Sequence, residues 1–371
     1  MELVEIDTLN YSKGREFVDK DNKVRLGFVG AGYMGQLAHI ANYATIEDCE
    51  LVALAEGRAE TAKAVAKKYG IQEVYLDHHT LLEKAEVDAV IGIMGFHFFY
   101  SLVKDLLSSG KHTATEKPIC IQSTSARHLV ELAGDNQLIY QVGYMKRHDP
   151  AAKIVRQTVL DWKASGEVGN MTYVRITMPS GDWNYQIESP VNMGDSAEQY
   201  EGQTIEVAPE WMGDFGQQYI GFINFYIHQV NLLRYLIGED YIVDYVDPKS
   251  RVLVAISESG VPCTLEMAPC GHRDRWEEHY RIGFDGGLIQ LDLPAPMARQ
   301  RAGDVSIYKN TGFGSQEYAQ EIRPVLPQRW AFLEQARHFV HCVKNGQPTI
   351  SPALDGVKDL EVSEQYIRKL M

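Results

Sequence analysis

Two short stretches hold residues whose types and spacing can do chemistry. In the first, Gly30-Ala31-Gly32-Tyr33-Met34-Gly35 has the spacing G-x-G-x-x-G and lies between an apolar strand-like run and a helix-like one. Glycines at those places permit a tight turn and a close backbone approach to a pyrophosphate, which the amides at a helix start can hold. Tyr33 and Met34 complete the loop and count with Gly30, Gly32 and Gly35 as cofactor contacts. Glu56 follows Gly35 by 21 positions and ends a second strand-like run, where a carboxylate accepts hydrogen bonds from the adenosine ribose. The same acid repels a 2′-phosphate, so NAD is expected and NADP disfavoured. Arg58, two residues on, is the group that would pair with such a phosphate. Taken alone, Glu56 is a solvated strand-end acid and Arg58 a charge at a helix start; the glycine spacing ahead of them argues for the cofactor role.

The second stretch is TEKPIC, in which Lys117 stands between Glu116 and Pro118 just after a fifth strand-like run. Proline is tolerated there because the strand has ended. Open α/β sheets bind ligands at the carboxyl edge of their strands, which would bring Glu116 and Lys117 toward the nicotinamide. There an ammonium can hydrogen-bond a substrate hydroxyl and stabilise its oxygen as hydride leaves the carbon. A lysine after a strand is otherwise an ordinary surface residue, and the glycine motif reverses that preference.

The elements that must position these residues alternate. From Lys23 to about residue 149, short β-rich runs are separated by helical ones, the pattern of a parallel sheet covered on both faces. Beyond a helix-like segment after Pro150, longer alternating runs such as MTYVRIT, RVLVAIS and LIQLDLP predict an open, mostly antiparallel sheet. The fold class is thus α/β: an N-terminal Rossmann domain over 1–149, with 1–22 as an extension, and a C-terminal α+β domain over 150–371. The last helix is expected to pack back on the first domain. Residues 180–218 form an insertion rich in Gly, Glu and aromatics with little periodicity, of a length that is usually functional or disordered.

Composition bounds the partners. The 371 residues carry 50 acidic and 36 basic side chains, a net charge of −14, with no basic run, which argues against nucleic-acid and anionic-membrane partners and for a small molecule. The polar N-terminus shows neither a signal-peptide core nor a membrane span, so a cytoplasmic location is expected. Cys49, Cys120, Cys263, Cys270 and Cys342 are widely spaced with no CxxC pair and are read as reduced thiols; a Cys263–Cys270 bridge is disfavoured in a reducing compartment. The remaining histidines, His78 and His79 among them, suggest no ligand set, and no metal is expected.

The runs GFVGAGYMG, SSGKHTATEKPI and QVGYMKRHDPA, with the C-terminal FLEQARHFVHCVKNGQPTISPALDGVKDLEVSEQ, resemble the glucose–fructose oxidoreductase / inositol dehydrogenase (Gfo/Idh/MocA) family. The resemblance implies NAD(P)-linked oxidation or reduction of a sugar-like ring, a C-terminal sheet used for homo-oligomerisation, and Lys117 at the family's active-site lysine. It also implies a helix motif D-x-G-x-H-x-x-D, matched here by Asn224 to Asn231: His228 is retained, while both aspartates are asparagine and the glycine is Tyr226. On one helix Asn224 and His228 would share a face, with Asn224 positioning the substrate and His228 moving the proton. Where the family has a Thr-Pro turn and a histidine after the fourth strand, this chain has Met94-Gly95-Phe96-His97, so Gly95 and His97 would form a different nicotinamide-side wall.

Polyhydroxylated rings are held by hydrogen bonds and by aromatic faces. Lys146, Arg147 and His148, with Trp183 and Tyr185 of the insertion, are the expected substrate contacts beside Lys117, Asn224 and His228. The aromatics would equally serve to anchor the loop. The reading is an NAD-linked dehydrogenase of a secondary ring hydroxyl on a sugar, glycoside or cyclitol, with a lean toward glycoside 3-dehydrogenation. Redox-assisted glycoside hydrolysis and a non-enzymatic NAD(H)-binding regulator are the alternatives.

Overall fold

The computed structural model describes residues 23–179, 181–184, 188–197, 204–267, 274–313, 315 and 318–371, so Tyr185 and Cys270 lie outside the described residues. The chain forms two compact units. One contains the chain up to Gly143 together with Ser189–Val207 and Gln335–Val357; the other contains Tyr144–Glu188, Ala208–Glu334 and Lys358–Met371.

In the first unit, strands β1 (Val24–Val29), β2 (Cys49–Ala55), β3 (Glu73–Tyr75), β4 (Ala89–Gly92), β5 (His112–Glu116) and β6 (Tyr140–Gly143) make a sheet in the order β3-β2-β1-β4-β5-β6. Every pairing is parallel. The helices between them are α1 (Ala41–Tyr43), α2 (Ala59–Tyr69), α3 (His78–Lys84), α4 (Phe99–Ser108) and α5 (Ser123–Asp135). Parallel strands need crossover helices, and helices on both faces explain why β1 and β4 are apolar along nearly their whole length. Leu26, Phe28 and Ile91 pack on one face with Phe339 and Val340, while Val29, Ala53, Leu81 and Leu106 fill the other. Strand order reverses between β1 and β4, so a crevice opens at their carboxyl ends, where α/β sheets of this kind take ligands.

Part of the long insertion belongs to this unit. Gln36 and Val191 exchange hydrogen bonds, amide to carbonyl at 2.9 Å and backbone N–H to side-chain oxygen at 2.8 Å. Further on, the Glu206 carboxylate accepts from the Ile121 N–H at 2.7 Å, and the Glu206 N–H donates to the His97 carbonyl at 2.8 Å. A segment without periodicity is thus fixed by polar side chains that satisfy loop and helix-end amides.

The second unit is built on α6 (Pro150–Ser165) and an eight-stranded sheet. Its strands are β7 (Met171–Thr177), β8 (Tyr241–Val246), β9 (Val252–Ser257), β10 (Pro262–Glu266), β11 (His279–Phe284), β12 (Gly287–Asp292), β13 (Asp304–Asn310) and β14 (Ala319–Ile322), in the order β14-β13-β12-β11-β7-β10-β9-β8. All neighbours are antiparallel except β7 and β10. Alternating burial along β9 and β12 shows the period of two that a one-sided sheet requires. On the buried face Trp162 of α6 stands edge-on to Phe284, ring centres 5.1 Å apart. Asp149 caps α6 through the Ala151 N–H at 2.8 Å, and Pro150 opens the helix.

The expected single helix carrying Asn224 and His228 is two: α7 (Gly216–Phe225) and α8 (Ile227–Ile237), meeting at Tyr226. Tyr226 keeps a right-handed backbone at φ −87° and ψ −5°, and its phenol donates to the Met267 carbonyl at 3.1 Å, tying the break to the end of β10. From α8, Asn231 accepts from Arg147 at 2.5 Å and donates to Asp359 at 2.6 Å. Asp359 also pairs with Arg234, which reaches Asp240 at 2.7 Å. Helices α9 (Ala331–Asn345) and α10 (Ala353–Leu370) close the chain, and α10 contributes Asp359. Among the described residues, no helix is long and apolar enough to cross a membrane.

Removing one partner of a buried ionic cluster leaves the others uncompensated. Asp359→Ala is therefore expected to lower unfolding free energy by about 3–5 kcal/mol, read from the urea midpoint of the full chain. A loss below about 1 kcal/mol would mean that the cluster is no stronger than a surface pair.

Candidate active site

The three motif glycines have three different reasons. Gly30 has φ +91°, and a Cβ there would lie 2.0 Å from the Ile93 carbonyl oxygen at the end of β4. A Cβ on Gly35 would lie 2.7 Å from the Gly30 oxygen, whereas one on Gly32 would meet nothing within 4 Å. Gly30 and Gly35 let the backbone close on itself, and Gly32 keeps open the space in front of the loop. That space is a cavity of about 370 Å³ lined by Gly30, Gly32, Glu56, Arg58, Met94 and Phe98 among others. Tyr33 and Met34 are half-buried, Met34 against the core. The helix behind them begins as a π-helix, Gly35–Ile40, and only then becomes α1.

At the end of β2, Glu56 is 8% exposed. Its carboxylate accepts from the Ala31 N–H at 2.8 Å and from the Arg58 N–H, Nε and Nη2 at 3.1, 2.9 and 2.8 Å. Burial pushes its carboxyl up, but the Arg58 guanidinium and these amide bonds outweigh it and hold the group below its ordinary value. Glu56 thereby ties the glycine turn to β2 and stands charged at the cavity wall. A glycine cradle, an open face at Gly32 and an anionic β2 terminus fit the ends of a dinucleotide.

At the carboxyl end of β5, Glu116 lies 2.8 Å from His39 Nε2 and accepts from the Lys117 N–H at 3.2 Å. Burial raises the Glu116 carboxyl, yet His39 and the Lys117 charge keep it below its usual range. Lys117 is half-buried, and Pro118, Ile119 and Cys120 behind it are buried, so its backbone is fixed on both sides. Gly95 starts a single 3₁₀ turn, Phe96–Phe98, in which the Phe96 and His97 rings stack at 4.5 Å. His78, His79 and Asp105 bring three ligand atoms within 4.8 Å of one another, with His78 Nε2 3.1 Å from Asp105.

Lys117 apart, the expected substrate contacts among the described residues lie in the second unit. Lys146 is buried and ion-paired with Glu278, itself wholly buried and accepting from Gln229 and Tyr280 at 2.7 Å each. Burial pulls the Lys146 ammonium below its ordinary value, and Glu278 limits the drop. Arg147 is engaged with Asn231 and sits over Tyr235, 5.0 Å from the ring centre. His148 is fully buried, and Trp183 is 38% exposed. Asn224 is exposed, while the half-buried His228 ring meets Tyr144 edge-on at 6.4 Å. Trp211, an aromatic of the insertion, is covered by Arg368 at 3.9 Å. Sequence reasoning missed Glu278, Gln229, Asp359 and Asp195; no motif marks them, since each acts through partners far away in the chain.

This sheet order, glycine cradle and β2 acid define a Rossmann-type dinucleotide-binding unit, with a lysine directly after β5. Residues 24–144 match the family described as "Oxidoreductase family, NAD-binding Rossmann fold". The scyllo-inositol 2-dehydrogenase (NAD(+)) of Bacillus subtilis is 24% identical over 364 residues, 92% of each chain. The D-glucoside 3-dehydrogenase of Escherichia coli is 33% identical over 112 residues, 30% of this chain and 31% of that one. In fold, the chain superposes on the Lactobacillus casei scyllo-inositol dehydrogenase with bound NAD(H) and scyllo-inositol at a TM-score of 0.65, with 19% identity over 94% of this chain and 97% of the other. Over residues 24–144 the chain matches the Gfo/Idh/MocA oxidoreductases, and along most of its length it is similar to inositol 2-dehydrogenases. It is an NAD(P)-dependent dehydrogenase acting on CH–OH groups, with NAD as its cofactor.

The glycines make a paired prediction. Gly32→Val should leave unfolding free energy within about 0.5 kcal/mol and weaken NAD binding by roughly tenfold or more, about 1.4 kcal/mol, by calorimetric titration. Gly30→Ala should instead abolish the folded state in circular dichroism. Undiminished NAD affinity in Gly32→Val would exclude the cofactor from that face of the loop.

Proposed function

We propose that the protein oxidises a secondary ring hydroxyl of a sugar, glycoside or cyclitol to a ketone, or runs the reverse. The observation that carries the reading is Lys117, held at the carboxyl edge of β5 beside the Glu116–His39 pair in an NAD-binding sheet. Bound NAD supplies the hydride acceptor. Lys117 hydrogen-bonds the substrate hydroxyl and stabilises its oxygen as the carbon gives up hydride. His228 takes the proton, and Asn224, an amide that cannot act as a carboxylate base, positions the ring. Lys146, Arg147, His148, Trp183 and Tyr185 are the further substrate contacts in this reading.

Relatives named for inositol and for D-glucoside support a polyhydroxylated ring as substrate, and the second supports glycoside 3-dehydrogenation as the finer assignment. Exposed Tyr173, Ile242, Tyr245 and Tyr308 on strands of the eight-stranded sheet support homo-oligomerisation through that sheet. The net charge of −14 argues against a nucleic-acid partner.

Mass spectrometry after incubation with NAD and a panel of inositols, free sugars and aryl glycosides tests the activity. A product two hydrogens lighter, with matching NADH, is expected. Aglycone release without net NADH would replace the reading with redox-assisted hydrolysis. On the active substrate, Lys117→Met should lower kcat by about 10²–10⁴-fold with NAD binding retained; turnover within a few-fold of the parent would remove Lys117 from the mechanism.

A further inference from the structure

The nucleotide unit carries a carboxylate that lies outside the glycine motif and the strand that follows it. Asp195 stands on the part of the insertion that returns to this unit. Its Oδ2 accepts from the Glu60 N–H at 2.8 Å and the Thr61 N–H at 3.2 Å, and its Oδ1 accepts from the Thr61 hydroxyl. The Thr61 oxygen in turn accepts from the Met193 N–H at 3.1 Å. Glu60 and Thr61 form the first turn of α2, directly after Glu56 and Arg58. Two residues beyond Asp195, Ala197 lines the same cavity as Glu56 and Arg58.

A 2′-phosphate beside the adenosine ribose needs donors next to the β2 terminus, which means a nearby arginine and the free amides of the following helix. Both sets are already engaged by the protein's own anions. Arg58 is gripped by Glu56 through three N–H groups, and the α2 amides are gripped by Asp195. NAD, whose ribose brings hydroxyls that donate, meets no conflict with either carboxylate. A phosphate would meet two like charges and compete with them for Arg58 Nε and Nη2 and for the Glu60 and Thr61 amides.

We infer that Asp195 is a cofactor-selecting residue: through the returning segment it fills and charges the place that a 2′-phosphate would need, and so excludes NADP together with Glu56. This rests on the NAD-binding reading of the cavity and not on the identity of the ring substrate. It follows that Glu56 alone does not set the preference. A change at Glu56 frees Arg58 but leaves the α2 amides occupied.

The test is calorimetric titration of the full chain with NAD and with NADP, for the parent, Asp195→Asn, Asp195→Ser, Glu56→Ser and the double variant Glu56→Ser/Asp195→Ser. Asp195→Asn keeps the shape of the side chain, and thermal unfolding checks each variant. The parent should prefer NAD. Both Asp195 variants should bind NADP about tenfold more tightly than the parent, about 1.4 kcal/mol, with NAD affinity within about threefold, about 0.65 kcal/mol. The double variant should gain more NADP affinity than Glu56→Ser alone. Equal losses for NAD and NADP in the Asp195 variants would show that Asp195 only docks the segment, and an unchanged ratio would show no influence on selection; either overturns the inference. Failure of the parent to bind NAD would overturn the cofactor reading and this inference with it, whereas failure to find a ring substrate would leave both binding comparisons standing.

Discussion

The close approach of Gly30 to the Ile93 carbonyl is the constraint on which the nucleotide unit depends. Parallel β1 and β4 pair in register up to Val29 and Gly92, and the chain must turn sharply off β1 immediately afterwards. A side chain at Gly30 would overlap the end of β4, and the required φ of +91° is one that side-chain-bearing residues rarely adopt. Because the turn is that tight, the Ala31 N–H points at Glu56 on the other neighbouring strand and is satisfied there at 2.8 Å. Three adjacent strand ends are thus locked around one backbone turn, and the cavity is the space this lock leaves in front of Gly32.

Charge at the strand ends of this unit is balanced by pairing. Glu56 is compensated by Arg58, and Glu116 by His39 and the charge of Lys117. In both cases burial opposes ionisation and a specific partner restores it. The carboxylates therefore remain anionic acceptors, suited to a ribose hydroxyl at one end of the sheet and to orienting a lysine at the other. Asp195 belongs to the same scheme, although its partners are backbone amides and a hydroxyl.

Much of the nucleotide unit was legible in the sequence because its signals are local. Continuous apolar runs marked β1 and β4, Gly30 to Gly35 fell between strand and helix, and Glu56 and Lys117 stand at strand ends as expected. The mostly antiparallel sheet was also legible, from the period of two along strands such as β12. What escaped was everything that depends on distant partners. Asp195 caps a helix 134 positions earlier, and Gln36 meets Val191 across 155; neither leaves a periodic trace. The break at Tyr226 escaped because its backbone stays helical in sign and only the tether to Met267 marks it. The parallel pairing of β7 with β10 likewise follows from sheet order, which strand patterning does not encode.

The two asparagines that depart from the family's helix motif separate into different cases once their surroundings are known. Asn231 is wholly buried, and its amide does two things at once: the oxygen accepts from Arg147 and the nitrogen donates to Asp359. An aspartate there would keep the first bond and turn the second into two facing carboxylates, costly without an added proton. With Asp359 already paired to Arg234 in the same cluster, the amide is the side chain of that shape which satisfies every neighbour. Its substitution is therefore explained by packing and charge within the unit and carries no message about catalysis. Asn224 is exposed, one residue before the end of α7, so this argument from burial does not reach it. Departure from a family pattern is thus no measure of lost activity by itself: at Asn231 the structure supplies a local electrostatic reason for the amide.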